Sequence, residues 1–376
     1  MPLTPDHEPL LRLLLGGVPA SVLRRLLDTH GDAATALAAG HRDWASHGAD
    51  RSTCAAVQAP DAAALDRSLR WLEGDRHHLL GWRDEAYPPL LRRIASPPAL
   101  LFVAGDPGLL WRPAVAVVGS RAATAGGRAN AAAFAAALAR AGLCVASGMA
   151  AGIDAAAHDA TLEAGGMTVA VLGTGPDIAY PASHRPLMAR IAQAGAVVSE
   201  HPPGTAPLRT HFPSRNRILV GLSLGVLVVE AALRSGALIT ARQAGDAGRE
   251  VFALPGSIHN PMARGCHRLI RDGAQLVETP AEVLDALAPL VGDLAQALRG
   301  VLEHSVPTEA PPSDVPFPDD PDTYRLWQAL GHDPTDMDEL LARTGLTAAT
   351  VSSILLALEL EGRVAAEHGR YSRVGV

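Results

Sequence analysis

Lysine is absent from this 376-residue chain: all 32 of its basic residues are arginine. That excludes a P-loop lysine, a Schiff-base lysine and an amine general base. A codon-composition bias is sufficient to explain the skew, and the exclusion holds whatever its origin. Arginine offers instead a planar fork suited to carboxylate or phosphate and to stacking on bases. Cysteine is nearly as scarce. Cys54, Cys144 and Cys266 lie far apart, lack metal-ligand spacing and leave one unpaired. This is the usage of a reducing compartment, with no metal site. No signal-peptide pattern opens the chain and no apolar run reaches the length of a membrane span, so a cytoplasmic protein with no membrane association is expected.

The formal net charge of −7 argues against a protein that coats nucleic acid through bulk positive charge. Any site for a polyanion must be local, and two windows qualify. His201 to Val229 contains no acidic residue but holds Arg209, Arg215 and Arg217. Ser257 to Arg271 likewise contains none and holds Arg264, Arg268 and Arg271.

Apolar runs that end in small-residue turns recur between Val115 and Ala274. They are VAVVGSR from Val115, LCVASGMAAGID from Leu143, VAVLGTG from Val169, AVVSEHPPG from Ala196, VLVVEA from Val226 and VFALPG from Val251. Helix-length segments separate them, which predicts βα repeats and a parallel sheet covered on both faces. A further short strand at Leu100–Val103, bounded by prolines, is expected to extend the sheet at an edge. Ligands of such sheets bind beyond the strands' carboxyl ends, where the Gly/Ser turns sit.

Three of those turns are suited to phosphate. Gly119-Ser120 leading into a helix presents unpaired N–H groups, and Arg121 adds a charged fork. Phe212-Pro213-Ser214-Arg215-Asn216-Arg217 sets arginines beside a ring on which a base can stack; a helix cap with a core Phe is the structural alternative. Ser235-Gly236, leading to Thr240, supplies another helix N-terminus at the same edge. None is a dinucleotide fingerprint: Gly119 is not followed by GxGxxG, and the second strand ends in Ala146-Ser147-Gly148 where a ribose-binding acid is needed.

The flanks differ in kind. Residues 1–77 are helical in pattern, with Leu10, Leu11, Leu14 and Leu15 on one face and a break at Gly16-Gly17-Val18-Pro19. Such a helix-hairpin-helix-like unit serves either as a DNA-backbone contact or as a plain interaction module. Residues 303–322, with six prolines, six acids and no arginine, read as an extended acidic linker. Residues 323–376 read helix, helix, hairpin: a winged helix, with Thr335 and Asp338 forming a capping box. Its second helix has no basic residue, which favours a protein-contact or regulatory role. The arginines Arg363, Arg370 and Arg373 of the wing are the remaining candidates for DNA.

The motifs GSR at 119–121, SGMAAGID at 147–154, GTGPDIAYP at 173–181 and SEHPPG at 199–204 occur in order, followed by FPSRNRIL at 212–219, VVEAALRSGALITA at 228–241 and REVFALPG at 249–256. Together they resemble the DNA-processing protein A (DprA/Smf) family, over roughly Tyr87 to Leu287. The resemblance implies an α/β fold: an extended Rossmann-like, mostly parallel sheet over 78–290, between the small N-terminal helical domain and the C-terminal winged helix. It implies a homodimer that binds single-stranded DNA without sequence preference, protects incoming strands and loads the RecA recombinase in natural transformation, with no cofactor and no catalysis. By position, Gly119, Ser120, Arg121, Ser147, Gly148, Ser235 and Gly236 would hold phosphates, and Arg215, Asn216 and Arg217 would line the strand-binding pocket. The departure follows Tyr180-Pro181, where the family often carries a lysine. Ala182, Ser183 and His184 stand here before Arg185, which either takes that phosphate or leaves one contact fewer.

The alternative is an enzyme that hydrolyses nucleotide N-glycosidic bonds, as related Rossmann-like folds do with a PGGxGT turn and a carboxylate. That turn is missing, and Glu230 is the one strand-end acid placed to substitute. Its structural role would be to anchor the neighbouring arginines.

Overall fold

The computed structural model describes residues 5–305, 320–330, 335–360, 364–367 and 370–373. Nine strands form one sheet: β1 (His77–Gly81), β2 (Leu100–Gly105), β3 (Ala114–Val118), β4 (Cys144–Ser147), β5 (Thr168–Leu172), β6 (Ala196–Ser199), β7 (Gly225–Val228), β8 (Glu250–Ala253) and β9 (Gln275–Leu276). Their spatial order is β1-β2-β6-β5-β4-β3-β7-β8-β9. Every pair from β6 through β9 is parallel, with Val115 level with Val145 on one side and Gly225 on the other. The other two strands run antiparallel, Phe102 opposite Ser199 and Leu79 opposite Phe102. The mostly parallel α/β sheet expected from the apolar runs is therefore present. The strand at Leu100 is not its edge, because β1, too short in apolar length to stand out, pairs outside it.

Six helices precede the sheet: α1 (His7–Leu15), α2 (Ala20–His30), α3 (Ala33–Ala38), α4 (Gly40–Ser46), α5 (Arg51–Gln58) and α6 (Ala62–Leu72). Their core takes in Leu79, Leu100 and Phe102 of the two antiparallel strands, so helices and sheet form one compact unit up to Leu298. Within α1 the buried leucines are Leu10, Leu11 and Leu13, while Leu14 and Leu15 are half-buried. The expected stripe is turned because α3, α5 and α6 all flank this helix.

The sheet's helices are α7 (Pro89–Arg92), α8 (Ala125–Arg140), α9 (Ile153–Glu163), α10 (Arg185–Ala194), α11 (His211–Leu222), α12 (Gly236–Asp246), α13 (Arg264–Arg271) and α14 (Pro280–Ser305). Strand residues alternate between two cores, as the pleat requires. Val115, Val117 and Leu227 pack under α8, α9 and the first turns of α14. Ala116, Val226 and Val228 face Ile218, Leu219 and Ala241 of α11 and α12. Both faces are thus covered, and the polar turns are left at the sheet's ends.

The second unit begins at Arg299. It contains α15 (Pro321–Ala329), β10 (Thr335–Asp336), α16 (Met337–Thr344), α17 (Ala348–Leu360), β11 (Val364–Glu367) and β12 (Arg370–Arg373) around Leu326, Leu340, Val351 and Leu355. This is the winged helix expected. Its cap shifts by one residue: Asp336 accepts from the Glu339 N–H at 2.8 Å, because Thr335 is paired into β10 opposite Tyr371. Arg373 lies over Trp327 at 4.5 Å, and Arg370 is exposed. Arg363 and most of the expected acidic linker lie outside the described residues. Among the described residues no helix is long and apolar enough to cross a membrane.

His158 on α9 is fully buried, with Nδ1 2.7 Å from Thr168 Oγ1 of β5. Burial lowers its pKa to about 3, whereas in the unfolded chain it titrates near 6.5. Between those values only the unfolded state takes the proton, so stability is lost as pH falls from about 6.5, by up to about 1.4 kcal/mol per unit. Denaturant unfolding at pH 7 and pH 5 should show that loss, and His158→Gln should flatten it. An equal pH dependence in the variant would contradict the assignment.

Candidate nucleic-acid interface

The strand order reverses at β3, with β4 on one side and β7 on the other. Connections at such a point diverge and leave a crevice beyond the carboxyl ends. Gly119, Ser120 and Arg121 leave β3 into that crevice. The Ser120 N–H donates to the Glu230 carbonyl, just past β7, at 2.7 Å. Gly119 is required sterically: a Cβ there would lie 2.5 Å from Ile153 Cγ1 and 2.9 Å from the Glu230 carbonyl oxygen.

The turn runs on to Thr124, which caps α8 through the Gly127 N–H at 2.9 Å. The helix thus starts later than the sequence suggests. The buried Glu230 carboxylate fixes this arrangement. It accepts from the Thr124 N–H at 2.9 Å, the Thr124 hydroxyl at 2.7 Å and the Asn260 amide at 3.2 Å. Its partners are therefore not the neighbouring arginines, which the sequence reading gave it.

A groove of about 750 Å³ opens over this turn. Gly119, Ser120 and Arg121 line one side, Phe212, Arg215 and Asn216 of α11 a second, and Ser235, Gly236 and Thr240 of α12 a third. The Ser235 hydroxyl caps α12 by accepting from the Ala237 N–H at 3.2 Å. Two further arginines complete the lining: Arg209, from the acid-free window at 201–229, and Arg234, not singled out from the sequence. Like Arg121 they are exposed, and among the described residues none of the three has a carboxylate within ion-pair distance. Arg121 stands over the Phe212 ring, 5.4 Å from its centroid. Phe212 in turn meets Tyr180 at 5.0 Å. A second hollow of about 470 Å³ adjoins the groove and shares Arg121, Tyr180, Phe212 and Arg215 with it; Gly148 lines this one.

Arg215 is 5% exposed. Its Nη2 donates to the Gly148 carbonyl at 3.2 Å, and its Nε has no partner. Burial lowers its pKa to about 10, opposed by Asp154, so it is charged at neutral pH. Asp154 accepts from the Gly148 and Ala150 N–H groups, and burial raises its carboxyl above the usual range.

Three residues named from the sequence lie elsewhere. Ser147 is fully buried and its hydroxyl donates to the Val117 carbonyl at 2.6 Å. Arg185 is exposed at the start of α10, outside both hollows. Arg217 is paired with Glu200 and lines neither hollow. Two residues apart on a helix are about 200° apart around its axis. With Arg215 on the groove side, Arg217 must face away.

A Cβ at Gly148 would fall 1.8 Å from Arg215 Nη1. Gly148→Ala should therefore unseat Arg215 and lower stability by about 1–3 kcal/mol, as overpacking does. Gly245→Ala, in a helix with nothing within 4 Å of the new methyl, should be neutral or stabilising. Thermal unfolding of the two variants checks this, and equal melting temperatures would refute it.

With this geometry established, comparison with known proteins is specific. The DNA recombination-mediator protein A family matches residues 78–288, and the DprA winged helix domain matches residues 309–370. Protein Smf of Escherichia coli K12 is 43% identical over 316 residues, covering 83% of this chain and 81% of that protein. DNA processing protein DprA of Streptococcus pneumoniae R6 is 48% identical over 201 residues, 54% of this chain and 71% of that protein. The X-ray structure of DprA from Streptococcus pneumoniae superposes with a TM-score of 0.67 at 37% identity, covering 76% of this chain and 98% of that one. DNA processing protein A from Helicobacter pylori, whose structure concerns its unique single-stranded DNA binding mode, gives 0.52 at 28% identity over 57% of this chain and 96% of that one. This chain belongs to the DNA recombination-mediator protein A (DprA/Smf) family.

Proposed function

We propose that the groove at the β3/β7 crevice binds single-stranded DNA without sequence preference. The observation that carries this reading is a set of exposed arginines, Arg121, Arg209 and Arg234, that have no ion-pair partner among the described residues and line one groove with Phe212, Arg121 standing over its ring. Phosphates are drawn to the arginine forks and to the α12 N-terminus, where Ser235 and Gly236 sit. The ring stacks on whichever base is presented, since every base has a π-face. Arg185, Ser147 and Arg217 act outside this contact. The single-stranded DNA binding mode described for the Helicobacter pylori relative supports the same reading.

The protein acts without catalysis. The carboxylates at the crevice are already occupied, Asp154 by backbone N–H groups and Glu230 by Thr124 and Asn260. An N-glycosidic hydrolase needs a carboxylate free to meet its substrate. Family membership extends the role to recombination: a cytoplasmic homodimer that shields incoming strands and passes them to the RecA recombinase.

Binding of a fluorescent oligonucleotide across a salt series tests the reading. For single strands the slope of log K against log salt is about −0.7 per phosphate contact. Arg121→Ala, Arg209→Ala and Arg234→Ala should each weaken binding and each make the slope shallower by about 0.7. Arg217→Ala should leave the slope unchanged. Slopes insensitive to the first three variants, or free base released from nucleoside monophosphates and lost in Glu230→Ala, would overturn the proposal.

A further inference from the structure

The last of the six N-terminal helices meets the sheet's body along one face. Trp71 of α6 packs against the core that holds Met149, Leu172 and Ile191. Its ring stacks on His77 at 4.0 Å and meets Phe102 edge-on at 5.9 Å. Residues four apart share a helix face, so Arg67 is turned the same way. Its Nε donates to the Pro203 carbonyl, in the loop after β6, at 3.0 Å. The fit is close. Gly204 has a φ of +85°, and a Cβ there would lie 2.4 Å from Arg67 Nε and 3.0 Å from its Cδ. The Gly204 N–H donates to both oxygens of Asp177, at 2.9 and 3.1 Å. The Thr205 carbonyl accepts from the Gly175 N–H at 2.9 Å. Pro203 to Thr205 are thus held by α6 from one direction and by the turn after β5 from another.

Beyond this anchor the chain changes character. Ala206 to Thr210 are all exposed and belong to no helix or strand, and Arg209, a fork of the groove, stands on this stretch. A long side chain on an exposed connector must be ordered before it can hold a phosphate, which costs affinity. Where the connector is anchored, part of that order is already present. Resting on the single-strand binding proposed above, we infer that Arg67 is a positioning residue for the groove. By fixing Pro203 and Gly204 against α6 it presents Arg209 to a phosphate, while itself lining neither hollow. The N-terminal helices then serve the groove as a brace, neither touching the DNA backbone nor waiting for another protein.

Oligonucleotide binding by the full chain across a salt series tests this. Arg67 is exposed, so its variants keep the fold. Arg67→Ala should weaken binding about three- to tenfold, the scale of ordering one long side chain. Its slope of log K against log salt should stay unchanged, because no phosphate contact is lost. Arg67→Gln should keep wild-type affinity, since its amide nitrogen stands as many bonds from the backbone as the arginine Nε and carries no charge. Gly204→Ala should reproduce the loss from the other partner. In an Arg209→Ala background, Arg67→Ala should add nothing. A slope shallower by about 0.7 in Arg67→Ala, or an equal loss in Arg67→Gln, would make Arg67 a direct phosphate contact and overturn the inference. So would no loss in Arg67→Ala, or a loss that adds in full to that of Arg209→Ala. Arg121→Ala keeps the two proposals apart: it should weaken binding whatever Arg67 does, and if it does not, the groove reading itself fails.

Discussion

The crevice depends on one buried carboxylate. Glu230, at the end of β7, reaches across to the turn that leaves β3 and satisfies both the N–H and the hydroxyl of Thr124, while Asn260 bonds to it from a third segment. A buried carboxylate lacking such donors would be costly; with them it ties three chain segments at the point where the sheet's connections diverge. Gly127 shows how closely it fits, since a Cβ there would sit 2.3 Å from the carboxylate carbon. Because this tie holds the Gly119-Ser120-Arg121 turn clear of α8, the arginine is presented to solvent and not drawn down onto the helix.

Charge is arranged on the same principle of local placement. Residues 1–298 carry 26 arginines and 26 acidic residues, and the negative balance of the chain lies wholly in residues 299–376. The body that holds the groove is therefore neutral, and attraction for a polyanion comes from where the forks are placed. Arg121, Arg209 and Arg234 line the groove with no counter-ion among the described residues, whereas Arg217, Arg190 and Arg268 are matched with Glu200, Asp159 and Asp272. Arginine suits this use because its delocalised fork serves phosphate and ring faces together, as at Arg121 over Phe212.

The sheet was legible from the chain because buried parallel strands are apolar on both faces and end abruptly in Gly or Ser. The strands from Ala114 to Ala253 were read in this way. β1 was not, since His77-His78-Leu79-Leu80-Gly81 offers two apolar side chains and gains its place from pairing with β2. At the site, adjacency in sequence misled where helical geometry intervened: Arg215 and Arg217 read as a pair but occupy opposite sides of α11. Arg209 stood in a window already marked as free of acids, and Arg234 adjoins the helix start at Ser235, so both carried a signal that spacing alone did not rank. Ser147 could not be placed from sequence, because its hydroxyl is consumed by a neighbouring strand's carbonyl.

The central claim is one of location: the strand lies across the rings and forks at the carboxyl end of β3 and β7. Photochemical crosslinking of a halogenated-uracil oligonucleotide, followed by mass spectrometry of the tryptic digest, tests it most directly. The account predicts that the modified peptides are 210–215, which carries Phe212, and the peptide containing Tyr180. Crosslinks confined to the N-terminal helices or to the C-terminal winged helix, with peptide 210–215 unmodified, would contradict it.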